Sequence, residues 1–193
     1  MTAMPMHEAL QVIRETRAAT DVVVTSMGTA REWMAMGPLE ALDWVFVPSA
    51  MGAAPPFGLG VALAQPARRV IACNGDGSTL MSLGTLVTIA SEAPENLVLV
   101  IFDNGVYEVT GAQPSPGQAD FAALARASGI GAVYRFSEIG AWRAGGRDAL
   151  NARGPVCIVL DVEPMPGARG PKSPGPTIAR AKQFADALSQ PVP

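Results

Sequence analysis

At 193 residues the chain is long enough to form one domain with a real core. A composition of 49% apolar and 16% charged residues, with a net charge of −3, excludes a disordered polymer and gives no reason to expect a nucleic-acid partner. It suits a buried α/β sheet or a subunit with large interfaces, and since no apolar run approaches a membrane span and nothing resembles a secretory leader, a cytoplasmic protein with no membrane association is expected. The periodicity predicts an amphipathic helix over Met4–Ala19, a short buried strand over Val22–Thr25, a turn at Ser26–Thr29 and a helix over Ala30–Met36 closed by Gly37-Pro38. A strand at Trp44–Val47, a loop at Pro48–Gly52 and a small-residue helix over 53–64 follow. That helix is suited to close packing on a sheet or on a partner helix. Next come a strand at Val70–Cys73, a helix at Thr79–Ala90, a strand at Leu97–Phe102 and a helix at Gln118–Ser128. A strand at Ala132–Phe136, a helix at Ile139–Asn151 and a strand at Val156–Val162 complete the alternation. Strands alternating with helices predict an α/β fold, a doubly wound and mostly parallel sheet with helices on both faces. The whole of 1–193 is read as one domain, with a Pro/Gly-rich extended arm at 164–176 and a last helix over Ile178–Leu188.

Chemistry concentrates at two predicted strand ends. Asn74-Gly75-Asp76-Gly77-Ser78 follows one apolar strand, and Asp103-Asn104-Gly105 follows the next. In open α/β sheets ligands bind at the carboxyl ends of strands. One carboxylate and one amide oxygen, without Cys or His beside them, are hard donors of the kind Mg²⁺ takes together with water and phosphate oxygens. Gly77 lets the backbone approach a ligand, and N–H groups at a helix start hold phosphate. The local reading is a Mg²⁺–diphosphate site. A dinucleotide fingerprint is missing, because Leu80 stands where its third glycine belongs. His7 is the only histidine, and it lies near the N-terminus. The two cysteines, Cys73 and Cys157, fall in predicted strands and read as small buried hydrophobes.

The order strand, Gly-Asp-Gly-Ser, helix, strand, Asn resembles the pattern by which thiamine diphosphate (ThDP) enzymes hold Mg²⁺. The chain is identified as a member of that superfamily and resembles its C-terminal diphosphate-binding domain. Ser26-Met27-Gly28-Thr29-Ala30-Arg31-Glu32, Pro48 to Pro56 and Asp103 to Gln113 are each similar to stretches of the phosphonopyruvate and sulfopyruvate decarboxylases, so the likeness spans about residues 20–165. Two positions depart from that pattern: Ser49 replaces a glycine and Ala53 a histidine. The resemblance implies that Asp76, Asn104 and the carbonyl of Val106 bind Mg²⁺, and that Gly28, Thr29, Gly77 and Ser78 donate to phosphate oxygens. Gly75 and Tyr107 are placed beside the cofactor with them. Met51 would be the apolar wedge that bends ThDP into a V, and the Ser49 carbonyl would accept from the aminopyrimidine amine, giving these two the catalytic assignments. Arg31 is left open between a solvated helix residue and a contact to a substrate anion.

The resemblance also implies a partner. ThDP enzymes need a second domain whose glutamate activates the pyrimidine ring, and Glu8, Glu15, Glu32 and Glu40 lie in stretches already used by this domain. A pyrimidine-binding α subunit supplying that glutamate is therefore expected, in a homo- or hetero-oligomer, with Gly52–Ala64 as part of the contact. The expected reaction is decarboxylation of an anionic 2-oxo acid of the sulfopyruvate or phosphonopyruvate kind to an aldehyde and CO₂. An acetolactate-synthase-like carboligase subunit and a non-catalytic assembly module remain open alternatives.

Overall fold

The computed structural model describes residues 3–47, 50–117 and 119–192. Among these, six strands form one parallel sheet in the order β2-β1-β3-β4-β8-β7: β1 (Val22–Ser26), β2 (Asp43–Phe46), β3 (Val70–Gly75), β4 (Leu97–Asp103), β7 (Ala132–Phe136) and β8 (Val156–Asp161). The inner strands are apolar along most of their length because both of their faces are covered, and turn polar only at their carboxyl ends. Along β4, Val98, Val100 and Phe102 enter one core while Leu97, Leu99 and Ile101 enter the other.

The helices divide between these cores as the strand order requires. The chain steps outward from β1 to β2 through α2 (Met27–Ala35), then returns across β1 to β3 through α3 (Ala54–Ala64). Parallel crossovers keep one hand, so a reversal of direction must move the connecting helix to the opposite face. Trp33 of α2 lies in the first core and Leu59 of α3 in the second. The same reversal recurs where α6 (Phe121–Ala127) leads to β7 and α7 (Ile139–Asn151) leads back to β8. Phe121 of α6 joins the second core, and Trp142 of α7 the first. The first also receives α1 (Met6–Thr16) through Leu10 and Ile13.

Several local expectations are corrected. Ser26–Thr29 is not a free turn, because β1 runs directly into α2 at Met27. The helix expected over Thr79–Ala90 is two, α4 (Asp76–Met81) and α5 (Thr85–Glu92). The Ser82 N–H reaches the Thr79 carbonyl instead of continuing the α-helical ladder. The helix expected from Gln118 starts at Phe121, where Asp120 accepts the Ala123 N–H at 3.0 Å; Gln118 itself lies outside the described residues. A two-stranded hairpin, β5 (Val106–Tyr107) with β6 (Gln113–Pro114), was not expected at all.

Residues 163–176 contain no helix or strand and lead into α8 (Thr177–Leu188). Phe184 of α8 packs on Trp44 and Phe57, with ring centroids 5.4 and 6.1 Å away. From the same helix Arg180 donates to the carbonyls of Val45 (3.1 Å) and Val47 (3.0 Å), at the free edge of β2. No described helix is long and apolar enough to cross a membrane.

The small residues of α3 serve the sheet. A Cβ on Gly58 would stand 2.9 Å from the Cβ of Ala72 on β3, closer than two methyl carbons tolerate. Gly58→Ala is expected to lower stability by about 1–3 kcal/mol through overpacking. In the Ala72→Gly background the same change should cost much less, which a double-mutant cycle of urea unfolding would measure.

Candidate active site

The strand order reverses between β1 and β3, so their carboxyl ends diverge and leave a crevice, the place where open α/β sheets bind ligands. A buried hydrogen-bond chain fixes the two ends. The Ser26 hydroxyl donates to Asn74 Oδ1 (3.0 Å), and Asn74 Nδ2 donates to the Thr79 hydroxyl (2.9 Å). Thr79 in turn donates to the Gly75 carbonyl (2.9 Å), which ties the first turn of α4 to the strand it leaves. Thr29 accepts the Ser26 N–H (3.2 Å) and donates to the Ser26 carbonyl (2.8 Å), with the Cys73 carbonyl of β3 also in reach (3.2 Å), so its hydroxyl is engaged by β1 and β3.

Around this crevice lies a cleft with about 450 Å³ of empty space, part of it open to solvent. Gly28, Thr29, Met51, Gly75, Asp76, Gly77, Ser78, Asn104, Val106 and Tyr107 all line it. Ser49, the remaining residue assigned from sequence, lies outside the described residues, as does its neighbour Pro48. Met51 is half-buried and is set by Gly52, whose backbone is left-handed (φ +79°). A Cβ on Gly52 would come within 3.2 Å of the Ser78 carbonyl, so glycine meets two requirements at once. Gly77 is equally constrained: a Cβ there would meet the Tyr107 ring at 2.6 Å. Met27 opens α2 with φ 53°, a strained conformation for an unbranched but bulky side chain, and it also lines the cleft.

The hairpin folds the Asn104 loop over the strand ends. Asn104 Oδ1 accepts the Val106 N–H at 3.0 Å, and the Ser115 N–H returns to the Gly105 carbonyl at 2.9 Å. Ser115 then donates its hydroxyl to Asp76 Oδ2 at 2.8 Å. Sequence reading missed Ser115. Its signal was the Thr110-Gly111-Ala112 turn, which Gly111 (φ 128°) and Ala112 (φ 56°) make and which reverses the chain.

Asp76 has no cationic partner among the described residues. Burial raises the Asp76 carboxyl above its ordinary range, an effect only partly offset by hydrogen bonds from Ser115 and from the Gly77 and Gly105 main chain. Asp103, one residue before Asn104, is pushed up to about 6 by burial and by the charge of Asp76, against the lowering effect of Arg135. Among the described residues no lysine or arginine lines the cleft or forms an ion pair with Asp76. No three His, Cys, Asp or Glu side chains cluster as a metal site among them either, so the donors are one carboxylate, one amide oxygen and main-chain carbonyls. That hard-oxygen set, beside glycines whose Cβ positions are already filled, fits Mg²⁺ and a diphosphate.

Arg31 is neither free nor solvated. It pairs with Glu32 (2.9 Å) and Glu108 (3.1 Å) and donates to the Arg169 carbonyl (3.0 Å). Glu108 is buried at the rim of the cleft and accepts the Met165 N–H at 2.7 Å. The two side chains thus clamp the 163–176 arm beside the site. His7 is exposed on α1, and Cys73 and Cys157 are buried thiols; burial pushes Cys157 up to about 12 and Cys73 higher still. The Gly52–Ala64 stretch expected at a subunit contact packs Gly58 and Leu59 into its own sheet.

A crevice at the switch point, glycine-lined and floored by a buried carboxylate, is the arrangement of a diphosphate-binding α/β domain. Residues 21–160 match the family described as thiamine pyrophosphate enzyme, C-terminal TPP binding domain, and the chain belongs to it. It is 39% identical over 155 residues to phosphonopyruvate decarboxylase of Streptomyces hygroscopicus, covering 80% of this chain and 38% of that protein. To sulfopyruvate decarboxylase subunit beta of Methanothermobacter thermautotrophicus it is 42% identical over 115 residues, 59% of each chain. To the same-named subunit of Methanococcus maripaludis it is 31% identical, covering 68% of this chain and 70% of that one. A solved structure from Mycobacterium smegmatis, described as a thiamin diphosphate-dependent enzyme, superposes with a TM-score of 0.72 at 25% identity over 84% of this chain and 32% of its own. The chain therefore spans well under half the length of the phosphonopyruvate decarboxylase it matches.

Truncating Arg31 to Ala leaves Glu108 buried without its cation and frees the arm. Stability should fall by about 2–3 kcal/mol, the low end for breaking one side of a buried pair. Trypsin should then cut faster after Arg169 and Lys172, followed by mass spectrometry of the fragments.

Proposed function

We propose that this chain is the diphosphate-binding subunit of a two-chain, ThDP- and Mg²⁺-dependent decarboxylase acting on an anionic 2-oxo acid. The observation that carries the reading is the convergence of Asp76, Asn104 and the Gly28 and Gly77 main chain on one cleft at the strand ends. Subunit names among the relatives, sulfopyruvate decarboxylase subunit beta in two of them, support the two-chain arrangement. The decarboxylase names support the reaction class.

Asp76, the Asn104 amide oxygen and the Val106 carbonyl would hold Mg²⁺. Gly28, Gly77 and Ser78 would present N–H groups to the diphosphate, while Thr29, its hydroxyl turned inward, holds the first loop in place. Met51 would press on the cofactor, and the Ser49 carbonyl would accept from the aminopyrimidine amine. When bound, ThDP supplies the electron sink for the pair released as a 2-oxo acid loses CO₂. Met6, Met27, Met51 and Val109 line the cleft with apolar surface, which would reduce the water around the reacting part of the cofactor. Glu108, the glutamate of the cleft, is committed to Arg31 and the arm, so we assign the activating glutamate to a pyrimidine-binding partner chain.

Asp76→Ala should weaken Mg²⁺-dependent ThDP binding more than about 100-fold, above the range seen when only an outer-shell partner is lost. Equilibrium dialysis of the protein purified from its host checks this, and binding at the wild-type Mg²⁺ concentration removes the metal site. Native mass spectrometry of the same preparation is expected to show a second chain. Sulfopyruvate or phosphonopyruvate should be decarboxylated by the pair and not by this chain alone; full activity of the isolated chain overturns the two-chain reading.

A further inference from the structure

We infer that Ser115 is a positioning residue for the metal site, holding the Asp76 carboxylate by its rear oxygen so that the other oxygen faces a divalent cation. The inference rests on the reading of Asp76 as a Mg²⁺ ligand and extends it to a side chain outside the Gly-Asp-Gly-Ser and Asn motifs.

The geometry comes from two hollows that share a wall. Asp76 lines the cofactor cleft and also a second hollow of about 780 Å³ on its far side. Ser115 lines the second hollow and not the first, so its hydroxyl meets Asp76 Oδ2 from behind, at 2.8 Å. A carboxylate terminus is a broad, twofold rotor. The Gly77 and Gly105 N–H groups also lie against this carboxylate, but among the described residues Ser115 is the one side chain that donates to it, and it fixes Oδ2 in particular. Metal-bound carboxylates are commonly oriented this way by a hydrogen-bond donor outside the coordination shell.

Ser115 is itself well placed. Its N–H donates to the Gly105 carbonyl at 2.9 Å, and Pro114 and Gln113 before it pair with Val106 and Tyr107. The hairpin therefore connects the loop bearing Asn104 to the carboxylate of Asp76, through one hydroxyl. Two oxygen donors from different strands are brought into register by a residue that touches neither cation nor cofactor.

The test is the Mg²⁺ concentration that half-saturates ThDP binding, measured by equilibrium dialysis on the tagged protein purified from its host with any accompanying chain. Ser115→Ala should raise that concentration about tenfold, the lower end for loss of such a partner. Ser115→Thr, which keeps the hydroxyl, should restore it. The thermal midpoint of the metal-free, ThDP-free protein should be the same in all three. If Ser115→Ala binds at the wild-type Mg²⁺ concentration while Asp76→Ala has lost binding, the positioning role is wrong and the metal site stands. If Ser115→Thr behaves like Ser115→Ala, or if the metal-free protein is destabilised to match, the hydroxyl is only structural and the inference fails. If Asp76→Ala binds normally, the metal-site reading fails and takes this inference with it.

Discussion

The buried chain from Ser26 through Asn74 to Thr79 is the constraint on which the site depends. Where strand order reverses, the two strand ends separate and their loops lose the support of a neighbouring crossover. Here an amide side chain, wholly buried, bridges that gap with one acceptor and one donor. Each of its bonds is shielded from water, so removing any one partner would leave a desolvated polar group. The Gly28 loop and the Asp76 turn are consequently fixed relative to one another by side chains that never reach the cleft.

Onto this fixed floor the chain adds less regular parts. The hairpin of Val106–Tyr107 with Gln113–Pro114 closes from one side, laying Tyr107 on Gly77. The arm after β8 approaches from another and is held by a carboxylate and a guanidinium that satisfy each other. Rigid strand ends with adaptable loops above them are the usual division between scaffold and function. The charge distribution follows the same division. At the rim one guanidinium serves two carboxylates, whereas among the described residues the acid on the floor has no cationic partner.

Much of this was legible in the sequence because it rests on local pattern. The fully apolar runs at 97–102 and 156–160 announced buried parallel strands, and Gly-Asp-Gly-Ser after one strand with Asn104 after the next pointed to the crevice. Gly28, Thr29, Met51, Asp76, Asn104, Val106 and Tyr107, all from stretches that carried the family likeness, line one cleft, whereas Ser49 lies outside the described residues. What escaped was set by tertiary context. Ser26 and Met27 look like turn residues, but the hydrogen bond to Asn74 lets the strand pass directly into a helix. The Ser82–Gly84 break was hidden in a stretch with good helical periodicity, and Gly52, distant in sequence, lies against it at Ser78 and Ser82. Arg31 carried no local sign that its partners lie at 108 and 169. Ser115 stood two residues past the recognisable motif, and only the unforeseen hairpin brings it to Asp76.

The last helix has a consequence for how copies of the protein meet. β2 is an outer strand of the sheet, and an outer strand offers carbonyls and N–H groups to any extended peptide. Arg180 occupies two of those carbonyls, at Val45 and Val47, with its guanidinium over the Trp44 ring. A foreign strand cannot add there without first displacing a guanidinium and uncovering an aromatic cluster. The segment after the arm thus works as a stopper against edge-to-edge polymerisation, leaving this border of the sheet inert in a crowded solution.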